Sequence, residues 1–156
     1  MKIGLVLAGG GGKGAYELGV WKALHELGIS KHISVFSGTS VGAFNSVLFA
    51  MDDIEKAEKL WEEVTMDKLV PAKKMDLIKK GIGLYIGGKT MPLARKFLND
   101  SDEKNTISNE GAKELIDEYL DFNKFKETEK ICYVACTKLS TFSVKYFRLN
   151  DYDDEY

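Results

Sequence analysis

Ile33–Met51 reads ISVFSGTSVGAFNSVLFAM, and the fold turns on how this stretch divides. Ile33–Ser37 is short, β-branched and aromatic, as a strand covered on both faces should be. Gly38-Thr39-Ser40-Val41-Gly42 is a G-x-S-x-G turn. Val41–Met51 has the apolar density of a buried helix. A strand, a sharp bend and a helix are the context in which this motif lifts a serine hydroxyl above a sheet edge, with Gly38 and Gly42 leaving room for the crossing backbone. The helix start, with Val41 first, offers unpaired N–H groups and positive potential to an oxyanion. The competing reading is a tight turn in which Ser40 only caps its helix.

An equivalent arrangement precedes it. Lys2–Ala8 (KIGLVLA) is a nearly continuous apolar run, the pattern of a strand in a parallel sheet. Tyr16, Leu18, Val20, Trp21, Leu24 and Leu27 follow with helical spacing, and Gly28 stands where a helix C′ glycine belongs. Between them lies Gly9-Gly10-Gly11-Gly12-Lys13-Gly14, and ten of the 15 glycines fall in the first 42 residues. Such a loop frees backbone N–H groups to face an anion or oxyanion, with Lys13 adding charge, or it is simply a flexible turn. Asp52–Val64 reads as a polar-faced continuation of the second helix, carrying Leu60 and Trp61. Parallel pairing of the two strands through a right-handed crossover is the expected assembly.

The later chain is less regular. Short helices are expected near Met75–Lys80 and Pro92–Leu98. Ser108–Leu120 reads as a capped helix through Ala112, Leu115, Ile116 and Tyr119. Ile131–Thr137 and Ser143–Leu149 read as strands, and Asn150–Tyr156 as a loose acidic end. At 156 residues the chain has the size of one domain, with no need of a disulfide or metal staple. A formal charge of −2 gives no case for nucleic acid. No apolar run is long enough to span a bilayer, and the N-terminus does not read as a secretion signal. Cys132 and Cys136 share one face of their strand and read as two buried thiols of a reducing cytoplasm.

Two nucleotide signatures lack their context. Gly9, Gly11 and Gly14 fit G-x-G-x-x-G, but the second strand ends Phe36-Ser37-Gly38, without the acid that a dinucleotide ribose requires. Gly83–Thr90 spells G-x-x-x-x-G-K-T, yet charged Ile78-Lys79-Lys80-Gly81 precedes it and Pro92 follows. The only histidines, His25 and His32, both precede Ser40 and read as surface residues. A base for Ser40 is then most simply a carboxylate.

Gly9–Gly14 on the first turn, as G-G-G-x-K-G, with Gly38–Gly42 on the second, as G-T-S-x-G, resembles the patatin-like phospholipases. The likeness is close over roughly the first 50 residues and weaker at CYVACT, Cys132–Thr137. It implies a three-layer α/β/α sandwich with a mainly parallel sheet. It further implies hydrolysis of lipid acyl esters by a serine–aspartate dyad, without metal or organic cofactor. On that mapping Ser40 is the nucleophile, Gly9, Gly10, Gly11, Gly12, Lys13, Gly14 and Val41 form the oxyanion hole, and Gly38, Thr39 and Gly42 shape the bend. The family's aspartate sits in an Asp-Gly step, and the chain has none. Asp151, Asp153 and Asp154 do not match it. Residues 1–156 therefore read as the incomplete, N-terminal part of a patatin-like domain, with uncovered sheet that favours self-association. A catalytically incomplete lipid-binding or interaction module is the alternative. A cytoplasmic protein in transient contact with a membrane surface is expected. The candidate contact patch sets Leu69, Val70, Ile82, Leu84, Tyr85 and Ile86 among Lys73, Lys74, Lys79, Lys80 and Lys89.

Overall fold

The computed structural model describes residues 2–64, 110–138, 141 and 143–152. The chain divides into two compact units, Met1–Val64 with Leu115–Tyr156, and Thr65–Glu114. In the second unit only the start of one helix is described, and the remaining described elements belong to the first. The expected helices at 75–80 and 92–98, the 69–89 patch, the 83–90 pattern, Ser108, Asp153, Asp154 and the side chain of Ala112 all lie outside the described residues.

The elements run β1 (Ile3–Leu7), α1 (Gly14–Glu26), β2 (Ile33–Thr39), α2 (Val41–Ala50), α3 (Ile54–Glu63), α4 (Glu110–Tyr119), α5 (Phe122–Glu127), β3 (Ile131–Lys138) and β4 (Ser143–Arg148). The strands form one sheet in the order β1-β2-β3-β4. β1 pairs parallel with β2, and β2 parallel with β3. β4 closes the edge antiparallel to β3. The architecture is the expected α/β one with a mainly parallel sheet.

One aromatic cluster shows which face the helices cover. Trp21 of α1 stacks on Phe49 of α2 with centroids 5.0 Å apart and meets Phe36 of β2 edge-on at 5.6 Å. All three are essentially buried, so α1 and α2 cover the Phe36 side. Burying rings of this size supplies the largest apolar contribution of any side chain. The Lys130 ammonium lies 5.8 Å from both the Trp21 and Phe36 ring centres, and its burial lowers its pKa against the partial opposition of Asp52. Residues of opposite parity point away. Val6 pairs with Ser37 and Tyr146 with Ala135, and Val6 and Tyr146 are 80% and 68% exposed.

Several ends follow their sequence signals. Gly28 takes φ 66, the Gly28 N–H donates to His25 O, and the Ile29 N–H donates to Leu24 O. Those two bonds are the Schellman closure expected of a C′ glycine. The helix expected to continue from Met51 to Val64 is instead broken. Asp52 adopts φ 58, and Asp53 caps a new helix by accepting from the Lys56 N–H at 3.1 Å. The residues that read as a polar face are the stop of one helix and the start of the next. α5 has no counterpart in the sequence reading. Asp121 caps it, accepting from the Lys124 N–H at 3.0 Å. In α4, Leu115 and Tyr119 are buried, while Ile116 is exposed. Tyr119 donates to the Glu63 carboxylate at 2.7 Å, and that bond, with burial second, pushes its pKa to about 12.

Two further expectations are corrected. The chain after β4 is not loose throughout. Leu149–Asp151 forms a 3-10 turn, and Asn150 brackets the start of β3, accepting from the Cys132 N–H at 3.1 Å and donating to Lys130 O at 2.9 Å. Of the two thiols only Cys132 is buried, and burial pushes its pKa to about 12. Cys136 is exposed, because burial falls away along β3 toward its end, where Thr137 and Lys138 are exposed too.

Asp53 provides a stability test. Lys124 Nζ donates to its carboxylate at 2.8 Å, and this bond chiefly holds the Asp53 pKa below its ordinary value. A depressed carboxylate contributes stability that is present above the unfolded-state pKa of about 4 and lost as pH falls through the lower folded value. Asp53→Ala is expected to cost about 1–2 kcal/mol at pH 7, mostly as the lost cap. The difference from the unsubstituted protein should shrink in urea unfolding curves taken down to pH 3.

Candidate functional site

The parallel strands end on one edge of the sheet, where open α/β folds collect their functional loops. β1 delivers the glycine loop there, and β2 delivers Ser40. Three glycines record how tightly the two turns approach. A Cβ on Gly42 would lie 2.4 Å from Leu7 O and 2.8 Å from Ala8 O. A Cβ on Gly38 would lie 2.1 Å from Gly42 O. One on Gly9 would meet Ser40 Cβ at 3.0 Å and Thr39 O at 3.2 Å. The first two gaps exclude any side chain, so the end of β2 and the first turn of α2 cross in backbone contact, against the end of β1. The glycine loop therefore begins directly against the serine turn.

Ser40 occupies the N-cap position of α2 with φ 54 and ψ −129, and its side chain makes no capping bond. Its carbonyl accepts from the Ala43 N–H at 2.9 Å and the Phe44 N–H at 3.3 Å. A non-glycine residue in this region carries about 1–3 kcal/mol of backbone strain, held only because its surroundings over-determine it. The residue is exposed. The capping interpretation of Ser40 thus fails on geometry. Val41 and Gly42 begin the helix, where N–H groups have no intrahelical acceptor. Thr39 ties the turn to β3, its hydroxyl donating to Ala135 O at 3.3 Å.

The glycine loop is more structured than an open cradle. Gly11–Lys13 is a single 3-10 turn. The Lys13 N–H donates to Gly10 O at 3.3 Å, and the Gly14 N–H is shared between Gly11 O and Gly12 O. Those two amides are engaged within the turn, which narrows the loop's candidate donors to Gly9, Gly10, Gly11 and Gly12. The Lys13 stem folds back over Gly10, and its side chain is exposed at the loop's rim.

Both histidines and Asp151 are disposed toward the other edge. His32 precedes β2 and Ser40 follows it, a strand length of about 25 Å away. His25, at the C-terminal end of α1, lies 3.9 Å from Asp52. Asp151 pairs with Arg148 at 3.3 Å, and its neighbour Asn150 is bonded at the beginning of β3, whereas Thr39 is level with Ala135 toward the end. That offset is about 10–13 Å along the strand. No carboxylate of the described residues is brought to Ser40 by an observed contact. Among the described residues no cluster of three His, Cys, Asp or Glu side chains could hold a metal ion.

Asn45 escaped the sequence reading. It is fully buried and links α2 to the start of α1 and to α3. The signal was present: Asn45-Ser46 interrupts an otherwise apolar helix, and buried polar groups are retained with partners. Ser46 spends its hydroxyl on Gly42 O at 2.7 Å.

The geometry predicts opposite effects at neighbouring positions. Gly42→Ala should destabilise by about 3 kcal/mol or prevent folding, since backbone rather than a side chain must move. Ser40→Gly should be more stable than Ser40→Ala by about 1 kcal/mol, because only glycine relaxes the strained backbone. Thermal melts of the three variants check both.

Comparison with known proteins gives concordant results. The family model described as Patatin-like phospholipase matches residues 5–156. A lysophospholipase of Aspergillus terreus is 54% identical over 50 residues, 32% of this chain and 3% of that protein. A lysophospholipase of Kluyveromyces lactis is 52% identical over 50 residues, with the same coverage of 32% and 3%. One of Aspergillus niger is also 52% identical over 50 residues, again 32% of this chain and 3% of its own length. The matched stretch is thus a small fraction of these relatives.

Proposed function

Because the chain belongs to the patatin-like phospholipase family, a lipid hydrolase family, we propose that Ser40 is the nucleophile of a lipid acyl-ester hydrolase. What supports this reading most is one observation: an exposed, strained serine that does not cap its helix stands in contact with a glycine-rich loop. In the proposed reaction Ser40 Oγ attacks the ester carbonyl carbon and gives up its proton to a base. The oxyanion is held by the N–H groups of Val41 and of the Gly9–Gly12 segment. Each such donor is worth about 3–4 kcal/mol of barrier. The carbon–oxygen bond to the alcohol breaks, and the base returns its proton to that leaving group. Water then hydrolyses the acyl-serine, releasing the fatty acid and regenerating the hydroxyl.

The base, an aspartate by the family resemblance, is assigned to none of the described residues. The relatives' name makes a lysophospholipid acyl ester the first substrate to test. Such a substrate brings the mouth of the site to a membrane or micelle surface. No helix of the described residues is long and apolar enough to cross a membrane.

A fluorophosphonate probe tests the proposal on this chain and on any longer natural form of it. Covalent labelling that maps to Ser40, is lost in Ser40→Ala, and accompanies a fall in ester hydrolysis of at least about 10³-fold is the expected result. Labelling confined to a longer form would place the base outside these 156 residues. Labelling of neither form, or saturable binding of NAD or ATP, would overturn the reading in favour of a binding module.

A further inference from the structure

We infer that Asn45 is a positioning residue that fixes the curvature of the glycine loop over Ser40. This rests on the reading of Ser40 as nucleophile. Asn45 Nδ2 donates to Gly14 O at 3.0 Å and to Glu17 Oε2 at 2.9 Å. Its Oδ1 accepts from Trp61 Nε1 at 3.0 Å. Both N–H groups and the carbonyl of the amide are thereby used. Gly14 is where the glycine loop passes into α1, and it is gripped a second way. A Cβ there would lie 2.2 Å from Trp61 Cζ2 and 2.3 Å from Cη2, so the indole of α3 rests on the Gly14 backbone.

The other end of the loop is held by the same helix. Gly42, two residues after Ser40, sits directly against the Leu7 and Ala8 carbonyls that lead into the loop. The loop therefore has both ends fastened to α2, at Gly42 in front and at Asn45 behind. These attachment points are three residues apart, an axial distance of about 4.5 Å. The span between them sets how far the Gly9–Gly12 amides bow toward the serine that heads the helix. A leucine has the same branching, with two methyl groups in place of the amide oxygen and nitrogen. It would leave the Trp61 N–H without its acceptor and release the Gly14 carbonyl from α2, and unpaired buried groups of this kind are costly.

Two readouts separate positioning from mere stability: the second-order rate of fluorophosphonate labelling at Ser40, and amide hydrogen exchange over Ala8–Gly14. Both are taken at a temperature where each variant is folded by circular dichroism. Asn45→Leu should slow labelling roughly 10- to 100-fold, the scale of a displacement near 1 Å, and should speed exchange in the loop. Leu48→Ala, a core lesion on the same helix, should lower the melting temperature and leave both readouts near those of the unsubstituted protein. Should Asn45→Leu fail to fold, Asn45→Asp, which keeps the shape and the acceptor for Trp61 but loses the donations to Gly14 O and Glu17, is read in the same way. Unchanged labelling and exchange in the Asn45 variant, or equal losses in Leu48→Ala, would overturn the inference. If neither this chain nor a longer natural form of it is labelled, the nucleophile reading fails, and loop exchange alone decides the role of Asn45.

Discussion

The contact between Gly42 and the carbonyls that end β1 is the constraint on which the site depends. A helix following a parallel strand ordinarily stands off its neighbour by the thickness of its side chains, with axes about 8–10 Å apart in helix pairs. Here that thickness is removed at the first turn of α2. The helix start drops onto the neighbouring strand, and the residue before it takes a conformation that L-amino acids avoid. Strain at Ser40, proximity of Gly9 and exposure of the hydroxyl all follow from that approach. The strain is offset by the packing below it, where Leu48, Phe49 and Ala50 are fully buried.

The interior below the site is unusually polar for an apolar helix. Asn45 and Ser46 are both fully buried, and each is spent on backbone carbonyls at the two turns. Hydrogen bonds of this kind contribute only about 1 kcal/mol net, yet leaving a partner unpaired costs more. Their effect is directional. Those of Asn45 exclude arrangements in which α1, α2 and α3 slide past one another, as an all-leucine interface would allow.

Legibility followed the range of the interactions that fix each part. β1, α1, β2 and α2 were readable because their signals are local: a continuous apolar run, a 3.6-residue period, a glycine at a helix end. The serine bend was readable because the pattern that shapes it is confined to five consecutive residues, Gly38 to Gly42. Asp52 misled because a helix break by one residue at positive φ leaves the apolar period nearly intact on either side. α5 was missed because its six residues, FNKFKE, show too little period to register. Asn150 looked like part of a loose end because its partners, Lys130 and Cys132, are distant in sequence. The loop's internal 3-10 turn was also hidden, since a run of glycines is compatible with almost any backbone path. Asn45 carried a signal of burial with polarity, but its partners at Gly14, Glu17 and Trp61 emerge only from tertiary structure.

Apart from the Thr39 bond to Ala135, the close contacts that shape the serine and its facing loop, from Leu7 to Trp61, are made within the first 64 residues. A ribosome releases such a stretch before it has made β3. The local machinery can therefore be assembled on a nascent chain in advance of the strands that flank it, as sequential folding favours. Order of synthesis and order of assembly coincide, and the strained bend is enclosed by its own neighbours from the outset.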